Sequence, residues 1–169
     1  MNDKLFKSAF EFMLGNEGSY SNDPNDRGGQ TIYGITVFYH PIWFYRVYKF
    51  YRKNLLVKAI EIAKEFYYKK FWNKLYEEII HPKLAIRLFD VSVNIGKKRA
   101  IKILQRIVNV REDGIFGTIT LHAVNCYPFS LYSEFIMALA KYYESRRGFK
   151  KFGKGWMTRL YKTITNYEL

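Results

Sequence analysis

Apolar residues recur along most of this chain at the three- and four-residue spacing of amphipathic helices. The first helical segment covers residues 3–15 and stops at Gly15, because glycine commonly follows a helix end. A second segment begins at Pro41, since proline suits the first turn of a helix. The same spacing predicts further helices over 56–72, 81–96, 100–109, 117–125, 129–146 and 155–167.

The segment from Ser19 to Gly34 breaks the helical pattern. It is dense in Asn, Asp, Pro and Gly, which favour turns, and Gly28-Gly29 suggests a short hairpin. Elsewhere the β-favouring runs are short, and strands do not alternate with helices as they do in a parallel sheet. The sequence therefore predicts one mainly α-helical domain over residues 1–169, with a small loop or β-hairpin region near residues 19–36.

Net charge and aromatic content indicate which classes of binding partner the protein favours. Lys and Arg number 28 against 15 acids, for a net charge of +13, which favours attraction to nucleic acid, anionic membrane or acidic wall polymers. The plainer alternative is a lysine-rich soluble surface. The basic, aromatic stretch from Pro41 to Lys53 is either a core-packing helix with a solvated face, or a groove wall or membrane-surface helix.

The metal-ligating residue types are sparse. Cys126 is the one cysteine, so no internal disulfide or cysteine metal cluster can form. His40, His81 and His122 lie far apart and lack metal-ligand spacing. We therefore expect neither a metal nor a cofactor.

The N-terminus lacks the uninterrupted apolar stretch of a signal peptide, and no long uncharged stretch is free of residues that spoil a membrane helix. We expect a protein made in the cytoplasm, which reaches a substrate outside the membrane only after release.

The densest chemistry surrounds Glu17, an acid just past the first predicted helix and before a turn-rich loop. Hydrolysis of a sugar acetal needs a proton for the leaving oxygen and a group that handles the developing charge or positions water. Burial against Tyr20 or Tyr33 would favour the protonated form of Glu17, and so would the negative end of the helix dipole. On spacing alone, a solvated surface acid is the alternative.

The run Glu17-Gly18-Ser19-Tyr20, followed by Asn22 to Gly29 and by Thr31-Ile32-Tyr33-Gly34-Ile35-Thr36, resembles the signature of glycoside hydrolase family 108. That family comprises phage-derived, lysozyme-like N-acetylmuramidases with an essential glutamate in a Glu-Gly-Gly-Tyr motif. Here Ser19 stands in place of the second glycine.

The resemblance extends over nearly the whole chain. Tyr68 to Trp72 matches an aromatic-basic segment of the family, and Phe89 to Gly96 matches its Phe-Asp-x-x-Val-Asn-x-Gly run. Asp113 to Gly117 and Phe152 to Trp156 resemble its C-terminal peptidoglycan-binding region. The resemblance implies a lysozyme-like fold with a catalytic part in residues 1–80 and a helical, peptidoglycan-binding-like part in residues 81–169.

The resemblance makes Glu17 the catalytic acid. Other phage-type lysozymes place an Asp nine positions after the Glu and a Thr shortly after, and Asp26 and Thr31 nearly match, although the threonine arrives one residue early. Asp26 would orient or deprotonate water. In that case the reaction inverts, with the two carboxylates roughly 6.5 to 9.5 Å apart, whereas about 5 to 5.5 Å would favour a retaining route.

Each of three other polar residues has two possible roles. Asp23 is either the rival second acid or a turn cap before Pro24. Asp90 and Asn94 share one face of a predicted helix, and either cap the Glu17 loop internally or face the sugar cleft. The expected substrate contacts are Tyr20, Asp23, Tyr33, Asp90 and Asn94.

Taken together, the sequence predicts an endolysin-type muramidase that cleaves the β-1,4 bond after N-acetylmuramic acid in peptidoglycan, without cofactor. It is expected to be a monomer, made in the host cytoplasm, that acts on the wall after release. Its basic surface favours anionic membrane or wall polymers, and no specific nucleic acid is expected. The alternatives are an inactive wall-binding or secretion-associated module of the same fold, and a basic nucleic-acid- or membrane-active protein.

Overall fold

The computed structural model describes residues 3–22 and 29–165. That part of the chain contains eight α-helices, one short 3-10 helix and three two-residue β-strands, which confirms the prediction of a mainly α-helical fold with a small hairpin region. In chain order the elements are α1 (Asp3–Leu14), β1 (Tyr20–Ser21), β2 (Thr31–Ile32), β3 (Ile35–Thr36), α2 (Pro41–Tyr51), α3 (Leu56–Phe71), the 3-10 helix (Lys74–Glu78), α4 (Pro82–Ile95), α5 (Lys97–Ile107), α6 (Thr118–Cys126), α7 (Leu131–Glu144) and α8 (Phe149–Tyr161).

The chain divides into two compact units. The N-terminal unit is Phe10–Trp72, and the C-terminal unit combines Met1–Ala9 with Asn73–Leu169. The prediction of one domain with parts 1–80 and 81–169 stays a prediction. No helix in the described part of the chain has the length and apolar character that crossing a bilayer requires.

The N-terminal unit is built around the pair α2 and α3, which pack against each other. Pro41 occupies the first turn of α2, as expected, because its fixed φ suits that position. Burying each large apolar side chain contributes about 1.5 to 3 kcal/mol. The interior side chains of this unit, each at most 2% exposed, are Phe10, Met13, Ile32, Ile35, Phe44, Val47, Ala59, Ala63, Phe66 and Tyr67.

The three strands form an antiparallel sheet in the order β1-β2-β3. Ile32 pairs with Ile35, so β2 and β3 are joined by the two residues Tyr33 and Gly34. Both have positive φ, 50° and 80°, which is the backbone of a type I′ hairpin turn. The hairpin suggested at Gly28-Gly29 falls in the connection between β1 and β2, where residues 23–28 lie outside the described part.

The C-terminal unit has α4 at its centre, with every residue from Leu84 to Ser92 buried. Phe89 meets Phe6 edge to face, with 5.7 Å between ring centroids.

In α5, the buried Gln105 organises the loop that follows: its amide nitrogen donates to Asp113 Oδ1 at 2.8 Å, and its amide oxygen accepts from the Gly114 N–H at 2.8 Å. The turn at Asp113-Gly114 is thus held from inside.

The last helix departs from its predicted bounds. It begins at Phe149 and ends at Tyr161, whereas the pattern predicted 155–167, and residues 162–165 are not helical. The prediction was wrong because glycine, although a poor helix former, is tolerated inside a helix where packing surrounds it. Gly153 lies inside the helix against the Phe149 ring, where an added methyl group would approach that ring to 2.7 Å.

Candidate active site

Glu17 is carried to its position by a turn that extends α1. Three backbone N–H groups, those of Gly15, Asn16 and Glu17, donate to carbonyls of the last helical turn at 3.0, 2.9 and 3.1 Å. The chain therefore leaves the helix in a defined direction, as the glycine at position 15 predicted. The Glu17 side chain is half-buried.

The Glu17 carboxylate lies against the hairpin turn. A methyl group placed on Gly34 would lie 3.0 Å from Glu17 Oε2 and 2.5 Å from the Tyr67 hydroxyl oxygen. The 2.5 Å approach is closer than a Cβ comes to any neighbour, the 3.0 Å approach is tight, and the φ of Gly34, 80°, also disfavours any other residue. Glycine at position 34 is thus what allows the acid and the tyrosine to share this space.

Tyr67 lies in the helix predicted over 56–72 and is a candidate site residue that the sequence did not single out. Its side chain is 1% exposed, and its hydroxyl donates a 2.8 Å hydrogen bond to the backbone carbonyl of Tyr33. The bond ties α3 to the turn between β2 and β3. The signal in the sequence is a tyrosine, rather than a phenylalanine, on the apolar side of the predicted helix. A hydroxyl buried there requires a hydrogen-bond partner.

Three tyrosine rings form a cluster at this hairpin. The ring of Tyr20 stacks on that of Tyr51, with centroids 5.8 Å apart, and Tyr33 meets Tyr51 edge to face at 6.0 Å. Burial raises the pKa of Tyr33, and repulsion from Tyr51 raises it further, so Tyr33 is a neutral hydrogen-bonding group. Tyr20 is 39% exposed, which leaves ring surface open to a ligand.

Thr31 lies in β2, opposite Ser21 in one neighbouring strand and Thr36 in the other. Its hydroxyl donates to the Gly29 carbonyl at 3.4 Å, and the side chain is half-buried. Asp23 and Asp26 both lie outside the described residues. The roles of Thr31, Asp26 and Asp23 therefore stay predictions.

Ser19, which replaces a family glycine, fits its position without backbone strain. Outside glycine, the residues with positive φ in the described part of the chain are Tyr33, Asn54 and Asn109. Ser19 is exposed, and its carbonyl accepts the N–H of Tyr33 at 3.0 Å. A serine performs this backbone role as well as a glycine would.

Asp90 belongs to α4 in the C-terminal unit and is 1% exposed. Its Oδ1 accepts from Arg159 Nη2 at 2.9 Å, and its Oδ2 lies 3.4 Å from Arg87 Nη1. Both carboxylate oxygens are thus engaged by guanidinium groups, and the two roles predicted for Asp90, a cap on the Glu17 loop and a sugar contact, stay predictions.

Asn94, one helical turn further along α4, is exposed. Its Oδ1 accepts from the Tyr143 hydroxyl at 2.7 Å, and burial raises the pKa of Tyr143 to about 12. Asn94 opens on a cavity of about 230 Å³. Its polar and aromatic lining includes Arg99, Tyr142, Arg146 and Trp156. A ligand therefore has access to Asn94.

Within the described residues, no group of three His, Cys, Asp or Glu side chains is placed to hold a metal ion. The Glu17 carboxylate lies beside the Gly34 turn and the buried Tyr67 hydroxyl, and the same unit carries Thr31 and the partly exposed ring of Tyr20. Those groups suit acid-assisted cleavage of a sugar acetal.

Comparison with known proteins agrees with this chemistry. The pattern of the family described as Glycosyl hydrolase 108 matches residues 10–96, which include Glu17, the hairpin and α4. The solved structure described as "Structure of Brucella abortus SagA" is similar, with a TM-score of 0.71 and 28% sequence identity over 92% of this chain and 88% of that chain. Comparison with curated proteins gave no match. The predicted family, lysozyme-like fold and enzyme class are confirmed: the chain belongs to glycosyl hydrolase family 108 and is a lysozyme-like peptidoglycan hydrolase.

Proposed function

We propose that this protein is an endolysin-type N-acetylmuramidase that hydrolyses the β-1,4 bond between N-acetylmuramic acid and N-acetylglucosamine, with Glu17 as general acid. The observation that carries the proposal is the seating of the Glu17 carboxylate against Gly34 and beside the buried Tyr67 hydroxyl. Packed backbone holds such a carboxyl group in one orientation, and proton transfer to a leaving oxygen depends on that orientation.

In the proposed reaction, protonated Glu17 gives its proton to the glycosidic oxygen as the bond from that oxygen to C1 of the muramic residue breaks. A water molecule attacks C1 from the opposite face, and Asp26 accepts its proton, with Thr31 beside it. The products are a reducing N-acetylmuramic acid end and a free 4-hydroxyl on N-acetylglucosamine. Asp26 then releases its proton to solvent, and Glu17 takes one up, which restores both carboxyl groups. Inversion requires the carboxyl groups of Glu17 and Asp26 to lie roughly 6.5 to 9.5 Å apart, and Asp23 is the rival base.

Tyr20 and Tyr33 are the proposed sugar contacts near Glu17. The partly exposed ring of Tyr20 offers a flat apolar face to a sugar. Asn94 is a proposed sugar contact in the C-terminal unit, supported by its exposure and its open cavity. Asp90 remains a predicted contact whose carboxylate oxygens are already engaged by arginines.

The proposed setting is that of an endolysin. The protein is made in the host cytoplasm and acts on peptidoglycan glycan strands as a monomer after its release. Its net charge of +13 supports accumulation on anionic wall polymers or membranes, an attraction that added salt weakens.

The test is Glu17→Gln, assayed on purified sacculi by counting new reducing ends and by analysing the released muropeptides. Loss of a general acid slows such reactions by about 10²- to 10⁴-fold. Glu11→Gln is the matched control, because Glu11 is an exposed acid on the preceding helix, and it should keep wild-type activity. A folded E17Q variant that degrades sacculi near the wild-type rate would refute the assignment. If the wild-type protein binds sacculi without releasing reducing ends, it is the inactive wall-binding module instead.

A further inference from the structure

Helix α2 and the residues on either side of it expose a band of apolar side chains in the N-terminal unit. Phe38 is 72% exposed, Ile42 76% and Tyr45 61%, although Phe44 and Val47 of the same helix are completely buried. The helix therefore has a buried side that packs in the core and an apolar outer side that the core does not need. We name the outer band the α2 surface, and its apolar members are Phe38, Tyr39, Ile42, Tyr45, Leu55, Leu56 and Val57.

Positive charge accompanies this band without any acid. Residues 37–60 contain five basic side chains and no Asp or Glu. In the described part of the chain, Arg46 is the member of these five that forms an ion pair, with Glu65 at 3.0 Å. The other four, Lys49, Arg52, Lys53 and Lys58, are exposed. The α2 surface therefore presents uncompensated positive charge next to apolar area.

Along one stripe of α2, the order of residues places the apolar side chains and the basic side chains at opposite ends of the helix. Ile42, Tyr45, Lys49 and Arg52 follow one another at three- and four-residue spacing, so they lie along one stripe of the helix. The stripe is apolar at the helix start and basic at its end. Phe38 and Tyr39, whose rings meet edge to face at 5.3 Å, extend the apolar end.

We infer that the α2 surface docks on an anionic phospholipid bilayer. A bilayer interface takes apolar and aromatic side chains into the boundary between headgroups and acyl chains, while lysine and arginine meet the lipid phosphates. This inference specifies the attraction to anionic surfaces proposed above, and it does not depend on hydrolysis by Glu17.

Other occupants fit the same surface less well. Duplex DNA offers phosphates to Lys49 and Arg52, but it has no apolar layer for Ile42 or Val57, which are each 76% exposed. A second copy of the chain would bring its own basic stripe against this one, and like charges repel. A phospholipid interface matches both the apolar and the basic character.

The experiment measures co-sedimentation of the full chain with vesicles of phosphatidylglycerol and phosphatidylcholine, compared with vesicles of phosphatidylcholine alone. Phe38→Ser with Ile42→Ser is the apolar variant. Its matched control is Ile115→Ser with Ile119→Ser, which removes two side chains of similar exposure, 68% and 76%, from the C-terminal unit. Thermal unfolding of each variant shows that the fold is kept.

The charge variant is Lys49→Gln with Arg52→Gln and Lys53→Gln. Its control carries the same change at three exposed basic residues of the C-terminal unit, Arg147, Lys150 and Lys154. A basic residue near an anionic membrane strengthens binding by about fivefold, so the first variant should lose roughly 100-fold in vesicle affinity and the control much less.

The inference requires preferential binding to anionic vesicles, weakened by both α2 variants and nearly unchanged in both controls. It also requires the E17Q variant to bind as the wild type does, which separates this result from failure of the muramidase proposal. Equal binding by wild type and F38S/I42S overturns it, as does equal loss in the matched controls. Salt-sensitive DNA binding without vesicle binding, or a dimer that F38S/I42S dissolves, would also overturn it.

Discussion

The Tyr67 hydroxyl donates a 2.8 Å hydrogen bond to the backbone carbonyl of Tyr33, across 34 residues of sequence. The bond links the C-terminal part of α3 to the turn whose second residue, Gly34, lies beside the Glu17 carboxylate. Three segments that are distant in the chain thereby share one small volume. The end of α1 and this turn therefore both adjoin the proposed acid.

Replacing Tyr67 with Phe removes the hydroxyl and keeps the ring. Because the Tyr33 carbonyl then loses a buried partner, we expect the free energy of unfolding to fall by about 1 to 3 kcal/mol. We also expect a lower turnover rate on sacculi, since the turn beside Glu17 is less constrained. Chemical denaturation and reducing-end release measure the two effects. Tyr161→Phe, at a residue that is 62% exposed, should change neither, and an unchanged rate in Y67F would remove Tyr67 from the site.

Gly34→Ala tests the close approach at the turn. The new methyl group would collide with the Tyr67 hydroxyl and the Glu17 carboxylate, and a φ of 80° costs alanine about 1 to 2 kcal/mol. We expect loss of most wall-degrading activity together with a lower melting temperature. Gly155→Ala is the control, because that glycine lies within α8 with open space around it, and the change should be neutral or stabilising. Full activity in G34A would show that the turn does not position Glu17.

Asp90→Asn separates the internal role of Asp90 from a sugar contact. Removing one partner of a buried ion pair costs about 3 to 5 kcal/mol, because Arg87 and Arg159 keep their charges. We therefore expect a large loss of stability, with KM for soluble glycan fragments unchanged in the folded fraction. Glu112→Gln breaks an exposed pair with Arg106 and should leave stability unchanged. A raised KM at wild-type stability would instead assign Asp90 to the substrate.

His40 makes stability sensitive to mild acid. Burial, and then the nearby positive charge of Lys70, hold the pKa of His40 below its ordinary value of 6.5. At pH 8 the ring is neutral in both states, and as the pH falls below 6.5 the unfolded chain takes up the proton first, so the free energy of unfolding decreases. This loss continues until the pH passes below the pKa of the folded state.

His40→Phe keeps the ring that packs on Phe66, 4.8 Å away, and removes the titration. We expect a smaller loss of stability between pH 7 and pH 5 than in the wild type, measured by denaturant titration at each pH. His122→Gln, at an exposed position, should keep the wild-type pH dependence. An identical pH dependence in H40F would contradict the assignment.

The spacing of apolar residues along the chain was sufficient to predict helix bounds where one face of a helix packs against the core. Helices α1 to α4 begin and end within one to two residues of their predicted bounds, because apolar periodicity, Pro41, Pro82 and the glycines at helix ends are local signals. It failed at α8, where Gly153 lies inside the helix because the Phe149 ring occupies the space of a side chain.

Features of the candidate site also fall into two groups: those that the sequence predicted and those that only the folded structure revealed. Family-like residues around Glu17 gave the hairpin region and the reaction class from sequence, and they predict the acid, because a catalytic loop keeps its residue types in one short run. Tyr67 and the Asp90–Arg159 pair became visible only after folding, because Tyr33 lies 34 residues from Tyr67 and Arg159 lies 69 residues from Asp90. Short-range preferences set which elements form, and long-range packing sets which side chains meet, since a hydrogen bond or ion pair depends on distance in space rather than along the chain.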